Sequence, residues 1–298
     1  MVALSIVGSL FVQLAFTVGF IMLYGGLISF CNRCFYDACG KTAFGIVRVT
    51  GYIGTPIHEY SHALMCLLFG HTVKKIRLFG DSKRSKTLGY VEHTYYKKNL
   101  YQQMGNFFIG ISPILAGGAV ILLLVRVLTP EMFFDMKIET ANISTVFAAD
   151  FVGNGLSVVL RGIGAIIASF FSPVNCLNWR WWVCILLSFP IAIHMEVSRS
   201  DIVSGLRGLG VISAMLLITD VILGLLFPEA LAAVTGACMT AGIFIALLML
   251  IPAVFSLMLG AFSLITLFFR ASAESIKNDR AEPIEARAIT VRKQDENE

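Results

Sequence analysis

His58, Glu59 and His62 form the string H-E-x-x-H inside an apolar run that begins near Phe44 and ends at Gly70. On a helix, residues four apart lie on one face, so His58 and His62 can present imidazole nitrogens to a single ion. Glu59 is one step round the same turn, placed to hold and deprotonate a water on the metal instead of ligating it. Neutral imidazole suits zinc, and Zn2+ lowers the pKa of bound water to about 7, giving a nucleophile at neutral pH. The competing reading is a metal-free polar network between helices, in which unpaired members are costly. Ionisable residues in a membrane helix are expensive and functional by default, which favours the metal.

The elements that must position these residues follow from composition. Of 298 residues, 57% are apolar and 14% charged, and the mean hydropathy is +0.79. This predicts an all-α polytopic membrane protein of about six transmembrane helices, not a soluble core. Residues 1–43 hold a first span, about Leu4 to Phe30, followed by a loop with Cys31, Cys34 and Cys39. No basic n-region precedes that span and no cleavage site follows, so a retained helix is expected. The three cysteines read as loop or interfacial residues, with a disulfide or second metal as the alternative. Cys66, Cys176, Cys184 and Cys238 read as packing residues.

The span 44–69 carries the motif, with Pro56 removing one backbone hydrogen bond two residues ahead of His58. The interval 70–106 is basic, which places it in the cytoplasm. Nucleic acid is a weaker explanation of its charge than lipid headgroups and topology. Alternation over Thr72–Phe79 and Thr87–Thr94 predicts a small β element joined by a charged turn. His71 and His93 read as surface or strand histidines. A further span covers 107–128, and the net acidic 129–150 reads as an outer loop. The segment 151–172 is interrupted by Gly153-Asn154-Gly155 and reads as re-entrant or interfacial. Trp179, Trp181 and Trp182 suggest an interfacial belt before a span that reaches at least Ile193. Leu206–Phe227 is another span, and 230–269 is one tilted helix or a hairpin. The tail 270–298 lacks a periodic apolar face and reads as disordered. Six spans put the N-terminus, the basic interval and the tail in the cytoplasm.

In this order the residues resemble the site-2 protease family of intramembrane zinc metalloproteases. The resemblance rests on His58-Glu59-Tyr60-Ser61-His62, the strands within 70–94 and Ile111-Ser112-Pro113-Ile114-Leu115-Ala116, and spans roughly 44–205. Ser112 and Ala116 stand where the family pattern has Gly and Asn, and no L-D-G follows Pro190. The resemblance implies a third helix that brings an aspartate to the zinc.

A catalytic zinc usually has three protein ligands. Asp201 is the first choice for the third, on the polar turn after Pro190 and on the expected membrane side of His58. It could equally be a helix cap, since Ser200-Asp201 precedes an apolar run. His194 is the second choice and Glu196 the third. Zinc on these residues would polarise the scissile carbonyl. Glu59 would carry a proton from water to the leaving amine. The expected partners are the lipid bilayer and a transmembrane or juxtamembrane protein substrate, and no nucleic acid. Two other classes fit the same residues: a metal-ion transporter or channel, and a catalytically inactive membrane scaffold. No internal repeat of the kind common in transporters is visible.

Overall fold

The computed structural model describes residues 2–80, 88–149 and 156–295. Among the described residues the regular structure is helical except for one two-stranded sheet. Helix α1 (Val2–Leu14) passes through a π turn at 15–19 into α2 (Phe20–Cys39), and a single 3-10 turn at 40–42 leads into α3 (Ala43–Leu68). Strands β1 (Thr72–Arg77) and β2 (Tyr90–Thr94) pair antiparallel, with Thr72 opposite Thr94 and Arg77 opposite Tyr90. Then follow α4 (Leu100–Leu128), α5 (Pro130–Ala149), α6 (Leu156–Phe170), the single turn α7 (Pro173–Cys176), α8 (Trp179–Ile193), α9 (Arg199–Leu226) and α10 (Pro228–Asp295).

Helix starts follow local chemistry. The Asn99 side chain accepts from the amides of Tyr101 and Gln102 at the start of α4, and Asn178 accepts from Arg180 at the start of α8. Helix α5 occupies the stretch expected as an acidic loop. Pro130 at its first position needs no partner for a missing N–H, and Glu131 in the first turn complements the dipole. The cysteines expected in a loop lie on α2 instead, with Cys31 and Cys34 buried. Apolar residues on both sides of them keep the helix going to Cys39. All seven cysteines are free thiols. The chain also stays helical to Asp295, where sequence predicted disorder, because Ala, Glu, Arg and Lys are strong helix formers even without an apolar face. The run 230–269 is part of one helix, with no hairpin turn. The 151–155 portion of the interrupted segment and the charged turn at 81–87 lie outside the described residues.

Four stretches among the described residues are long and apolar enough to cross a membrane: Val2–Leu68, Leu100–Leu128, Arg199–Leu226 and Pro228–Ala273. The first contains two of the expected spans. Helix α8 has 15 residues, fewer than the about 20 a crossing needs. Many large apolar side chains face outward, among them Leu4, Phe11, Leu186, Phe262 and Phe268. Exposed apolar surface on this scale marks membrane association. Inside, Ile28, Ile121, Val125, Phe170, Ile191 and Phe255 form the largest core cluster. Trp181 belongs to it, its ring tilted against that of Phe170 with centroids 5.5 Å apart, whereas Trp179 and Trp182 remain exposed.

One buried polar contact ties α1 to α9. Gln13 Nε2 donates to Asp220 Oδ1 at 3.0 Å and lies 3.2 Å from Thr235 Oγ1 on α10. Both Gln13 and Asp220 are 1% exposed. Gln13→Leu, which strands the Asp220 carboxyl, is expected to destabilise the fold by about 1–3 kcal/mol. Pairing it with Asp220→Leu should recover most of that loss, as read by thermal unfolding in detergent.

Candidate metal centre

Helix α3 places His58 and His62 one turn apart, and each imidazole is held by a backbone carbonyl that its own helix does not use. His62 Nδ1 lies 2.8 Å from the carbonyl oxygen of Ile109. Pro113, four residues on in α4, has no N–H to give that oxygen, so the proline leaves it free to take the imidazole proton. His58 Nδ1 lies 2.7 Å from the carbonyl oxygen of His194, just past the end of α8, where carbonyls lack helical partners. Ser112 Oγ also donates to the Ile109 carbonyl at 2.8 Å and lies 3.3 Å from His62 Nδ1. Ser61 Oγ lies 3.1 Å from Ser112 Oγ and donates to the His58 carbonyl at 2.6 Å.

A carbonyl oxygen can only accept, so both Nδ1 atoms carry their protons. Both Nε2 atoms are then left with lone pairs, and these face each other at 3.2 Å. Two bare acceptors at that separation repel unless a cation lies between them. The arrangement matches metal-ligating histidines, whose second nitrogen donates to a carbonyl that fixes tautomer and ring orientation.

Asp201 joins them from the first turn of α9. Its Oδ2 is 3.7 Å from His62 Nε2. His58, His62 and Asp201 each offer one ligand atom, all within 4.8 Å of one another. Sequence allowed Asp201 as the helix cap itself, but that position falls to Ser198, with Asp201 three residues on as its capping-box partner: Ser198 Oγ accepts from the Asp201 amide at 3.2 Å, and Asp201 Oδ2 accepts from the Ser198 amide at 3.1 Å and from its hydroxyl. The capping box therefore aims the carboxylate. Gly110 sets the distance between α4 and α9, since a Cβ there would lie 2.7 Å from the Asp201 carbonyl oxygen.

His194 and Glu196 stand elsewhere. The His194 ring donates Nδ1–H to the Pro190 carbonyl at 2.9 Å and packs against Gly54, upstream of His58. Its contribution to the cluster is its backbone. Glu196 Oε2 accepts from Asn32 Nδ2 at 3.2 Å. Glu59 is 7% exposed, and the chain at Gly89 lies over it: a Cβ on Gly89 would be 2.6 Å from Glu59 Cγ. A cavity of about 440 Å³ opens beside the cluster, with Asp201 in its wall among Met22, Ile111, Ile114, Ile202 and Leu206.

The carbonyl of Ile109, the carbonyl of His194 and the hydroxyl of Ser112 were not singled out by sequence. The signal for the first was present: a proline at 113 frees the carbonyl at 109. Restoring an amide there should therefore loosen His62. Pro113→Ala is expected to weaken metal affinity about 10–100-fold, the range for losing an outer hydrogen-bond partner, as measured by competition with a chelating dye.

His93 lies on β2 as expected, but His71 is buried, 4% exposed, instead of at the surface. The turn at Gly70, with φ +69°, folds it back against the end of α3. Burial holds the His71 imidazole below the ordinary histidine range, and burial together with the neighbouring His71 does the same for His93.

Comparison with family models, with curated proteins and with solved structures found no match to this chain.

Proposed function

We propose that the chain is a zinc-dependent peptidase that cuts membrane-embedded or juxtamembrane protein segments. The observation that carries this reading is the pair of imidazoles held at Nδ1 by carbonyls, with bare Nε2 atoms converging on Asp201 and with Glu59 next in sequence. Two imidazoles and one carboxylate are a donor set suited to catalytic zinc, leaving a position for water and substrate. The likeness of the motif and its order to the site-2 protease family supports the same reading.

His58, His62 and Asp201 would hold the ion, and the carbonyls of His194 and Ile109 would keep the two rings oriented. Zinc bound there supplies Lewis acidity toward the scissile carbonyl and toward water. Glu59 takes a proton onto a carboxylate oxygen as water adds to the carbonyl carbon. It returns that proton to the amine nitrogen as the C–N bond breaks, so one acid and one amine leave. The cavity walled by Met22, Ile111, Ile114 and Leu206 suits an apolar segment arriving from the lipid side. The basic residues of 70–106 support a cytoplasmic position for the sheet in a multi-pass chain.

The test uses purified protein in liposomes with a fluorescent library of single-span peptides. Cleavage that stops with a zinc chelator and returns with added Zn2+ is expected. Zn2+ flux into the liposomes without any peptide cleavage would favour the transporter class instead.

A further inference from the structure

We propose that Cys66, His71 and His93 form a second metal site, for a thiophilic divalent cation such as Zn2+, which ties the end of α3 to the β sheet. It is separate from the cluster on His58, His62 and Asp201, and it stands whether or not that cluster is catalytic.

Backbone geometry brings the three residues together. Helix α3 ends with the amide of His71 donating to the Cys66 carbonyl at 2.8 Å and that of Gly70 donating to Leu67 at 3.2 Å, around Gly70 in the left-handed conformation. This double-bonded helix end sets the residue after the glycine against the one five positions earlier, here His71 against Cys66. The sheet then returns His93, whose register partner is Val73, two residues after His71. The Sγ and two ring nitrogens lie within 4.8 Å of one another. Cys66 is fully buried and His71 nearly so.

The tautomer points the same way. His71 Nε2 is 2.7 Å from the Gln102 carbonyl oxygen, which can only accept, so that nitrogen carries the proton. Nδ1 is then a bare lone pair, facing His93 Nδ1 at 3.0 Å. Tyr95 stacks on the His71 ring at 5.0 Å, fixing its plane. A metal-binding histidine is oriented in just this manner by a carbonyl on its far nitrogen. One thiolate and two neutral imidazoles select zinc or a similar soft to borderline ion, and a coordinating thiol gives up its proton on binding. Such an ion would hold the sheet whose Gly89 end covers Glu59.

Sulfur separates the two sites, since the first cluster has none. Purified protein, reduced and loaded with Co2+, is expected to bind two equivalents and to show thiolate-to-cobalt charge-transfer absorption in the near ultraviolet. Cys66→Ala should remove that band and one equivalent, while His58→Ala should keep the band. His93→Ala, which leaves the thiol in place, should weaken binding at this site by more than tenfold. A folded wild-type protein that binds cobalt without a thiolate band would overturn the proposal, as would a band that survives Cys66→Ala. In either case His71 and His93 are a hydrogen-bonded pair and nothing more.

Discussion

Glu59→Gln is expected to bind as much zinc as the wild type and to cleave about 10²–10⁴-fold more slowly, the range for loss of a general acid–base group. The side chain is buried on α3 but is not one of the three whose ligand atoms converge. Glutamine keeps its shape and removes only the capacity to take a proton. The split between metal content and kcat is therefore the signature. Equal loss of metal and activity would make Glu59 a ligand or a structural residue, and activity within a few-fold of wild type would remove it from the chemistry.

In a Cys66→Ala background, which leaves only the first cluster, Asp201→Ala is expected to lose zinc at concentrations that saturate the parent, with affinity down by more than the about 100-fold that an outer partner can cost. The residue has two roles in the structure, and a second substitution separates them. Ser198→Ala breaks the other half of the capping box and is expected to cost about 1 kcal/mol of stability. It leaves the carboxylate in reach of His62, so zinc affinity should fall only about 10–100-fold, as for a lost orienting bond. Were the two variants to bind zinc alike, Asp201 would be a cap only. Isothermal titration with chelator-buffered zinc reads both.

The parts of this arrangement that sequence revealed are those that repeat along one element. Two histidines four apart on an apolar helix, and strands announced by alternation at 72–79 and 87–94, depend on local periodicity; the histidines share α3, and the strands form as the shorter Thr72–Arg77 and Tyr90–Thr94 within those stretches. Helix α5 was hidden because a net acidic stretch resembles a loop, although Pro130 and Glu131 are good helix starters. The setting of the imidazoles depends on long-range contacts. Ile109 and His194 act through their carbonyls, which any residue supplies, so only Pro113 and the end of α8 hint at them. Asp201 could be ranked but not placed, since its reach depends on how closely α9 packs on α4 at Gly110. Cys66, His71 and His93 were read singly as packing or strand residues. Their convergence depends on the left-handed turn at Gly70 and on strand register, neither of which is a spacing in sequence.

Anomalous scattering at the zinc edge from crystals of the Cys66→Ala protein, which retains only the first cluster, tests the central claim most directly. The account predicts one peak, within about 2.0–2.2 Å of His58 Nε2, His62 Nε2 and an Asp201 carboxylate oxygen. A folded protein grown with zinc that shows no peak between the two imidazoles would contradict it. The cluster would then be a polar network holding α3, α4 and α9 together.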